Sequence, residues 1–180
     1  SLKTMGSLIT RDWLEKVTSN LVQDNETHGV FSSGNVSFFM MVMCLISNEF
    51  TTLTLNNLFD LCEKIYDRDD KAAMIMSVEI FAALICGSKF IKPFESQNRD
   101  QFVNRFLQDC LNVELNQDAS DIWSTLCWWL PTVVDIRRCE PFYRQFTGTD
   151  HMLNANSDDA GHQASMLLML KSIIMSLEYK

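Results

Sequence analysis

The residues that could do chemistry gather in one short run, EIFAALICGSKF, from Glu79 to Phe90. Glu79 opens a nearly continuous apolar stretch. Burial disfavours an ionised carboxylate and raises its pKa, which is one way to make a general acid. Catalysis would also need a partner group, and the sequence offers none. The commoner role of a lone buried carboxylate is a structural ion pair, and Arg137 and Arg138 are the candidate cations. The run ends at Gly87-Ser88-Lys89. A phosphate loop needs G-x-x-x-x-G-K-[ST] between a strand and a helix, so that backbone N–H groups converge on the anion. Here one glycine stands alone, the order is Gly-Ser-Lys, and the preceding pattern is helical. The negative C-terminal end of a helix disfavours an anion. Gly87 is therefore read as a left-handed helix C-cap, with Lys89 complementing the helix end.

The other candidates are dispersed. His28, His151 and His162 fall in or near polar loops, and none has the clustered spacing of a zinc site. The six cysteines (Cys44, Cys62, Cys86, Cys110, Cys127 and Cys139) are widely spaced without a C-x-x-C. They read as reduced core thiols of a cytosolic or nuclear protein, not as a disulfide framework. No Ser or Cys sits in a nucleophile elbow. Trp123, Trp128 and Trp129 crowd one helix. Such a group can stack bases or hold methyl-lysine, but aromatics on an apolar helix more often pack a core. Trp128 and Trp129 point in different directions, which leaves one of them for an interface. The segment DIRRCEPFYRQF places Arg137, Arg138 and Arg144 beside Phe142 and Tyr143. It reads as a polar ladder between repeats, with an acidic partner or a polyanion as the alternative. The expectation is a non-enzyme without metal or cofactor.

Composition narrows the partners. The net charge is −8, so the surface repels phosphate backbones and direct nucleic-acid binding is not expected. The longest apolar runs, Val36–Ile46 and Ala72–Cys86, are shorter than the roughly 20 residues of a membrane span. They suit buried helices. Only 6 Gly and 3 Pro in 180 residues argue against a turn-rich β protein.

The elements that must position these residues are helices. Thr10 caps a first helix over about 11–21, with Trp13, Leu14, Val17 and Leu21 at helical spacing. The stretch QDNETHGVFSSGN reads as a loop. Asn35 or Ser33 is read as the cap of a second helix to about Ser47, which is apolar almost all round and is expected at the centre. Thr51 or Thr52 starts a third, and Asp70 caps a fourth over Lys71–Cys86. A fifth covers about 97–111. A sixth starts at Asp118 or Ser120 and is ended or kinked by Pro131. A seventh spans about 135–146, and an eighth about 162–177. Alternate helices start near 11, 52, 97 and 136, a helix-pair period close to that of HEAT and armadillo repeats. Such pairs bury their apolar faces only by stacking. The expected architecture is an all-α solenoid of about four antiparallel helix pairs. Residues 1–180 would form one segment of a much longer chain. A compact helical bundle is the alternative.

On residues, the run resembles a recurring segment of the large single-chain HEAT-repeat proteasome activators. Their pattern is Glu-Ile, small and aliphatic residues, then Gly-Ser-Lys and an aromatic; Glu79, Ile80, Ala82, Leu84, Gly87, Ser88 and Lys89 match it. Downstream the family has a Trp, then Asp-Pro-Arg and a basic residue. Trp123 and Asp135-Ile136-Arg137-Arg138 stand at nearly the same distances. The departures are Ala83 for Gly, Cys86 for a basic residue and Ile136 for Pro. The motifs cover about 77–146. The resemblance implies a structural part of a dome that caps the proteasome core particle and modulates its gate without ATP or ubiquitin. It further implies nuclear and cytoplasmic work, with links to histone turnover and DNA damage. Glu178 stands where the family's core-docking tail has a hydrophobic residue, so that motif is not assigned. No inositol polyphosphate site is mapped. The alternative function is another HEAT scaffold, such as a transport or assembly adaptor.

Overall fold

The structure, a computed structural model, describes residues 1–111, 113, 115–135, 137, 142–144 and 160–178. Among these it has eight α-helices and no strand. They are α1 (Leu2–Gly6), α2 (Arg11–His28), α3 (Ser33–Ser47), α4 (Leu55–Ile65), α5 (Lys71–Cys86), α6 (Ser96–Leu111), α7 (Gln117–Val133) and α8 (Ala160–Glu178). Short connections between successive helices from α1 to α7 favour antiparallel neighbours. The fold is all-α, built of HEAT-like helix pairs. It comprises two compact units, Ser1–Ser96 and Gln97–Lys180.

In the first unit α5 is the central element, packed against α2, α3 and α4. Every residue of α5 is buried except Lys71 and Cys86 at its ends. A helix that is apolar all round has no face to give to water, so it must be enclosed. That position was expected of α3. α3 instead buries one side, through Val36, Phe39, Val42, Met43 and Leu45, and leaves Met41 exposed. Asp70 caps α5, its carboxylate accepting from the Ala73 N–H at 3.0 Å. α4 and α5 are also tied at mid-height. The Ser77 hydroxyl donates to the Cys62 carbonyl at 2.6 Å, and the Cys62 thiol donates to the Ser77 carbonyl at 3.4 Å. A hydroxyl satisfied in this way can be buried without the penalty of an orphaned polar group.

Several boundaries differ from the sequence expectation. α2 runs seven residues further, to His28, because QDNET places its polar side chains on the solvent side and turns Asn25 inward. It stops at Gly29, whose φ of 59° is the left-handed cap. Gly87 is not left-handed: its φ is −82°. It is glycine for space, since a Cβ there would lie 2.7 Å from Met43 Sδ and 2.8 Å from the Ala83 carbonyl oxygen. α4 starts at Leu55, not at Thr51 or Thr52, because the Thr51 hydroxyl is committed to the Ile9 carbonyl at 2.6 Å. The short α1 was not anticipated.

In the second unit α6 buries Phe102, Val103, Phe106, Leu107, Cys110 and Leu111. Phe102 and Phe106 stack at 5.5 Å, and Phe106 meets Trp123 of α7 at 6.4 Å. α7 packs against α8, whose Met166, Met169 and Ile173 are buried. Pro131 does not end α7, which continues to Val133. Within the last turn the missing proline N–H costs the helix a single bond. The helix expected over 135–146 falls largely outside the described residues; residues 142–144 are helical and bury Phe142 and Tyr143.

Candidate functional site

α3 begins at a capping sequence, Ser32-Ser33-Gly34-Asn35. The first turn of any helix leaves backbone N–H groups without partners. Ser32, the N-cap, accepts from the Asn35 N–H through its hydroxyl at 3.4 Å. In a capping box the side chain three residues on reaches back to the N-cap N–H. α4 does this locally, the Thr54 N–H donating to Asn57 Oδ1 at 2.8 Å. At α3 the returning acceptor comes from another helix. The Ser32 N–H donates to Glu79 Oε1 at 2.5 Å, and Asn35 Nδ2 donates to Glu79 Oε2 at 2.8 Å. Glu79 of α5 thus completes the capping box of α3 across the core.

Glu79 has no solvent exposure. Desolvation dominates and pushes its pKa up to about 7, while the hydrogen bonds from Asn35 and Ser32 pull it back. The ion pair expected with Arg137 or Arg138 is therefore replaced by an amide, a backbone N–H and the positive end of α3. Arg137 is exposed and engages Asp135 instead, Nη2 to Oδ2 at 2.6 Å and Nε to Oδ1 at 3.0 Å, which raises the Arg137 pKa. Arg138 lies outside the described residues.

On the far side of this turn lies a cleft of about 480 Å³, bounded by Leu21, Asp24, Asn25, His28, Phe31 and Asn35 among others. Asn25 is nine-tenths buried, and its Nδ2 makes no hydrogen bond among the described residues. The sequence suggests Asn35 or Ser33 as the helix cap here; the cap is Ser32, and the cleft itself was not foreseen. The available signal was the incomplete capping box, which lacks a Glu or Gln at Asn35.

The other singled-out residues have structural placements. Ser88-Lys89-Phe90 form a 3-10 turn after Gly87, and Lys89 Nζ lies 4.9 Å over the Phe90 ring. Trp123 is fully buried in α7, whereas Trp128 is 47% exposed. Cys62, Cys110 and Cys127 are buried thiols and Cys44 and Cys86 half-buried ones; burial raises the pKa of Cys127. Cys139 and His151 lie outside the described residues, and His28 is exposed. Among the described residues no His, Cys, Asp and Glu gather to hold a metal ion, and no helix is long and apolar enough to cross a membrane. Glu79 caps α3, Gly87 and Trp123 are packed against neighbours, and Arg137 is held at the surface by Asp135.

No family model matches the chain. Over 179 residues, 99% of its length, it is 57% identical to the protein described as proteasome activator BLM10 of Saccharomyces cerevisiae. The chain spans 8% of that relative's length.

Proposed function

Because the chain belongs, as a segment, to the large single-chain HEAT-repeat proteasome activators, we propose that it is an architectural section of such an activator. The parent chain would cap the proteasome core particle and modulate its gate without ATP or ubiquitin. Nuclear and cytoplasmic work, with histones among the substrates, belongs to the same reading. The observation that carries it is the 57% identity across nearly the whole chain.

The mechanism is mechanical and not catalytic. Gate modulation from a distance needs a wall that holds its shape. Enclosure of α5 and the capping of α3 by Glu79 supply rigidity to the first unit. On α8 the side opposite the buried Met166, Met169 and Ile173 exposes Leu167, Leu168, Ile174 and Met175. In a longer stack a further helix pair would cover this row, since stacked repeats bury one another's apolar faces. Co-purification of the parent chain with core particles tests the proposal. Core subunits should accompany the tagged parent at moderate salt. Their absence at every ionic strength would leave a HEAT scaffold of another kind.

A further inference from the structure

Both oxygens of Glu79 face hydrogen-bond donors, the Ser32 N–H and the Asn35 amide. That arrangement suits a carboxylate and conflicts with a carboxylic acid. A proton on either oxygen needs an acceptor. The Ser32 N–H cannot become one. Asn35 can, because rotating its carboxamide by half a turn replaces Nδ2 with Oδ1. Asn35 also borders the cleft at the α2–α3 junction. Inversion of the carboxamide exchanges which of its two polar atoms, Oδ1 or Nδ2, is released from Glu79 beside the cleft.

We propose that the proton on Glu79 sets the hydrogen-bonding polarity of this cleft, through inversion of the Asn35 carboxamide. With Glu79 charged, the cleft wall at Asn35 accepts hydrogen bonds and suits a donor group. With Glu79 protonated, the wall donates and suits a carbonyl or carboxylate oxygen. The step is transfer of a proton from hydronium in the bulk solvent to Oε2, releasing water, followed by rotation about the Asn35 side chain, and no other reactant is involved.

The surroundings leave Glu79 as the controlling group. On α2, Asp24 and His28 border the cleft and are exposed, and the other ionised side chains of that helix lie at or near the surface. On α4, Asp60 and Lys64 are exposed, Glu63 is half-buried, and the Cys62 thiol is directed to Ser77. α3 carries one titratable group, the half-buried Cys44 thiol. In the turn after α5, Lys89 lies over Phe90. Desolvation raises the Glu79 pKa to about 7 against the pull of the two hydrogen bonds.

The test is a nuclear magnetic resonance titration of the 180-residue chain, following the Glu79 carboxyl carbon and the Asn35 side-chain NH₂ together. The two should share one midpoint near neutral pH. In Glu79→Gln the glutamine oxygen accepts from Ser32 and its NH₂ donates to Asn35, so the Asn35 signals should sit at their low-pH positions at every pH. Asn35→Ala supplies a second arm: loss of its hydrogen bond should move the Glu79 midpoint upward. An Asn35 amide that does not move with Glu79, or that titrates unchanged in Glu79→Gln, overturns the proposal. So does a Glu79 midpoint that stays in place in a folded Asn35→Ala chain.

Discussion

Replacing Glu79 by Gln should remove a pH dependence of stability that the wild-type chain shows between about pH 5 and pH 8. The folded-state pKa of Glu79 is about 7, against an ordinary value of 4.5. Between those values the folded chain holds a proton that the unfolded chain has released. Folding therefore takes up a proton, and the stability that Glu79 contributes is complete below about 4.5 and lost as pH rises through 7. At 1.36 kcal/mol per unit, the displacement is worth about 3 kcal/mol across the window. Glu15 and Glu49 have lowered values, from Lys64 and Arg11 and from Lys92 respectively, and so titrate below it. Urea unfolding of wild type and Glu79→Gln at pH 5, 6, 7 and 8 isolates the effect, because the difference between the two curves cancels all other groups. Wild type should lose about 2.5 kcal/mol relative to the variant on going from pH 5 to pH 8, the remainder of the displacement falling below pH 5. Parallel curves would refute the reasoning, since they would mean that Glu79 titrates alike in the folded and unfolded chain.

Gly87→Ala should cost about 1–3 kcal/mol, because the added Cβ meets Met43 and the Ala83 carbonyl; thermal unfolding measures it, and the same substitution should cost less in a Met43→Ala background than in the wild type. Gly29→Ala should cost about 1 kcal/mol by the same assay, since its backbone is left-handed with nothing near the added methyl. Phe81→Ala should destabilise the first unit by about 3–5 kcal/mol, given complete burial of the ring in α5. In the native chain a thiol reagent should label the half-buried Cys44 and Cys86 before Cys127, whose burial holds it as a protonated thiol.

Much of the scaffold was legible because helix signals are local. Asp70 before the Lys71–Cys86 run is a cap, and α5 begins there. The inward faces of α4 and α6 follow from apolar spacing alone. What was misread depends on distant partners or on side-chain placement. QDNET looks like a loop by composition, yet its residues take helical positions with Asn25 turned inward. Thr51 resembles a cap, but its hydroxyl is spent on the Ile9 carbonyl 42 residues away. Gly87 is the C-cap of α5 as the sequence suggests but is not left-handed, because sequence cannot separate a positive φ from the approach of a neighbour such as Met43. The partner of Glu79 was hidden for a related reason. One of its two donors is the backbone N–H of Ser32, and a backbone group carries no residue-type signature.

The central claim is that this chain is a structural section of a proteasome activator. Its most direct test is the parent chain with and without Phe81→Ala in this segment, assayed for binding to proteasome core particles and for stimulation of peptide hydrolysis. The intact parent should bind core particles and raise hydrolysis, and the variant should lose both in step with unfolding of the segment. A parent that never binds core particles, or one whose binding and stimulation persist after the segment unfolds, would contradict the claim.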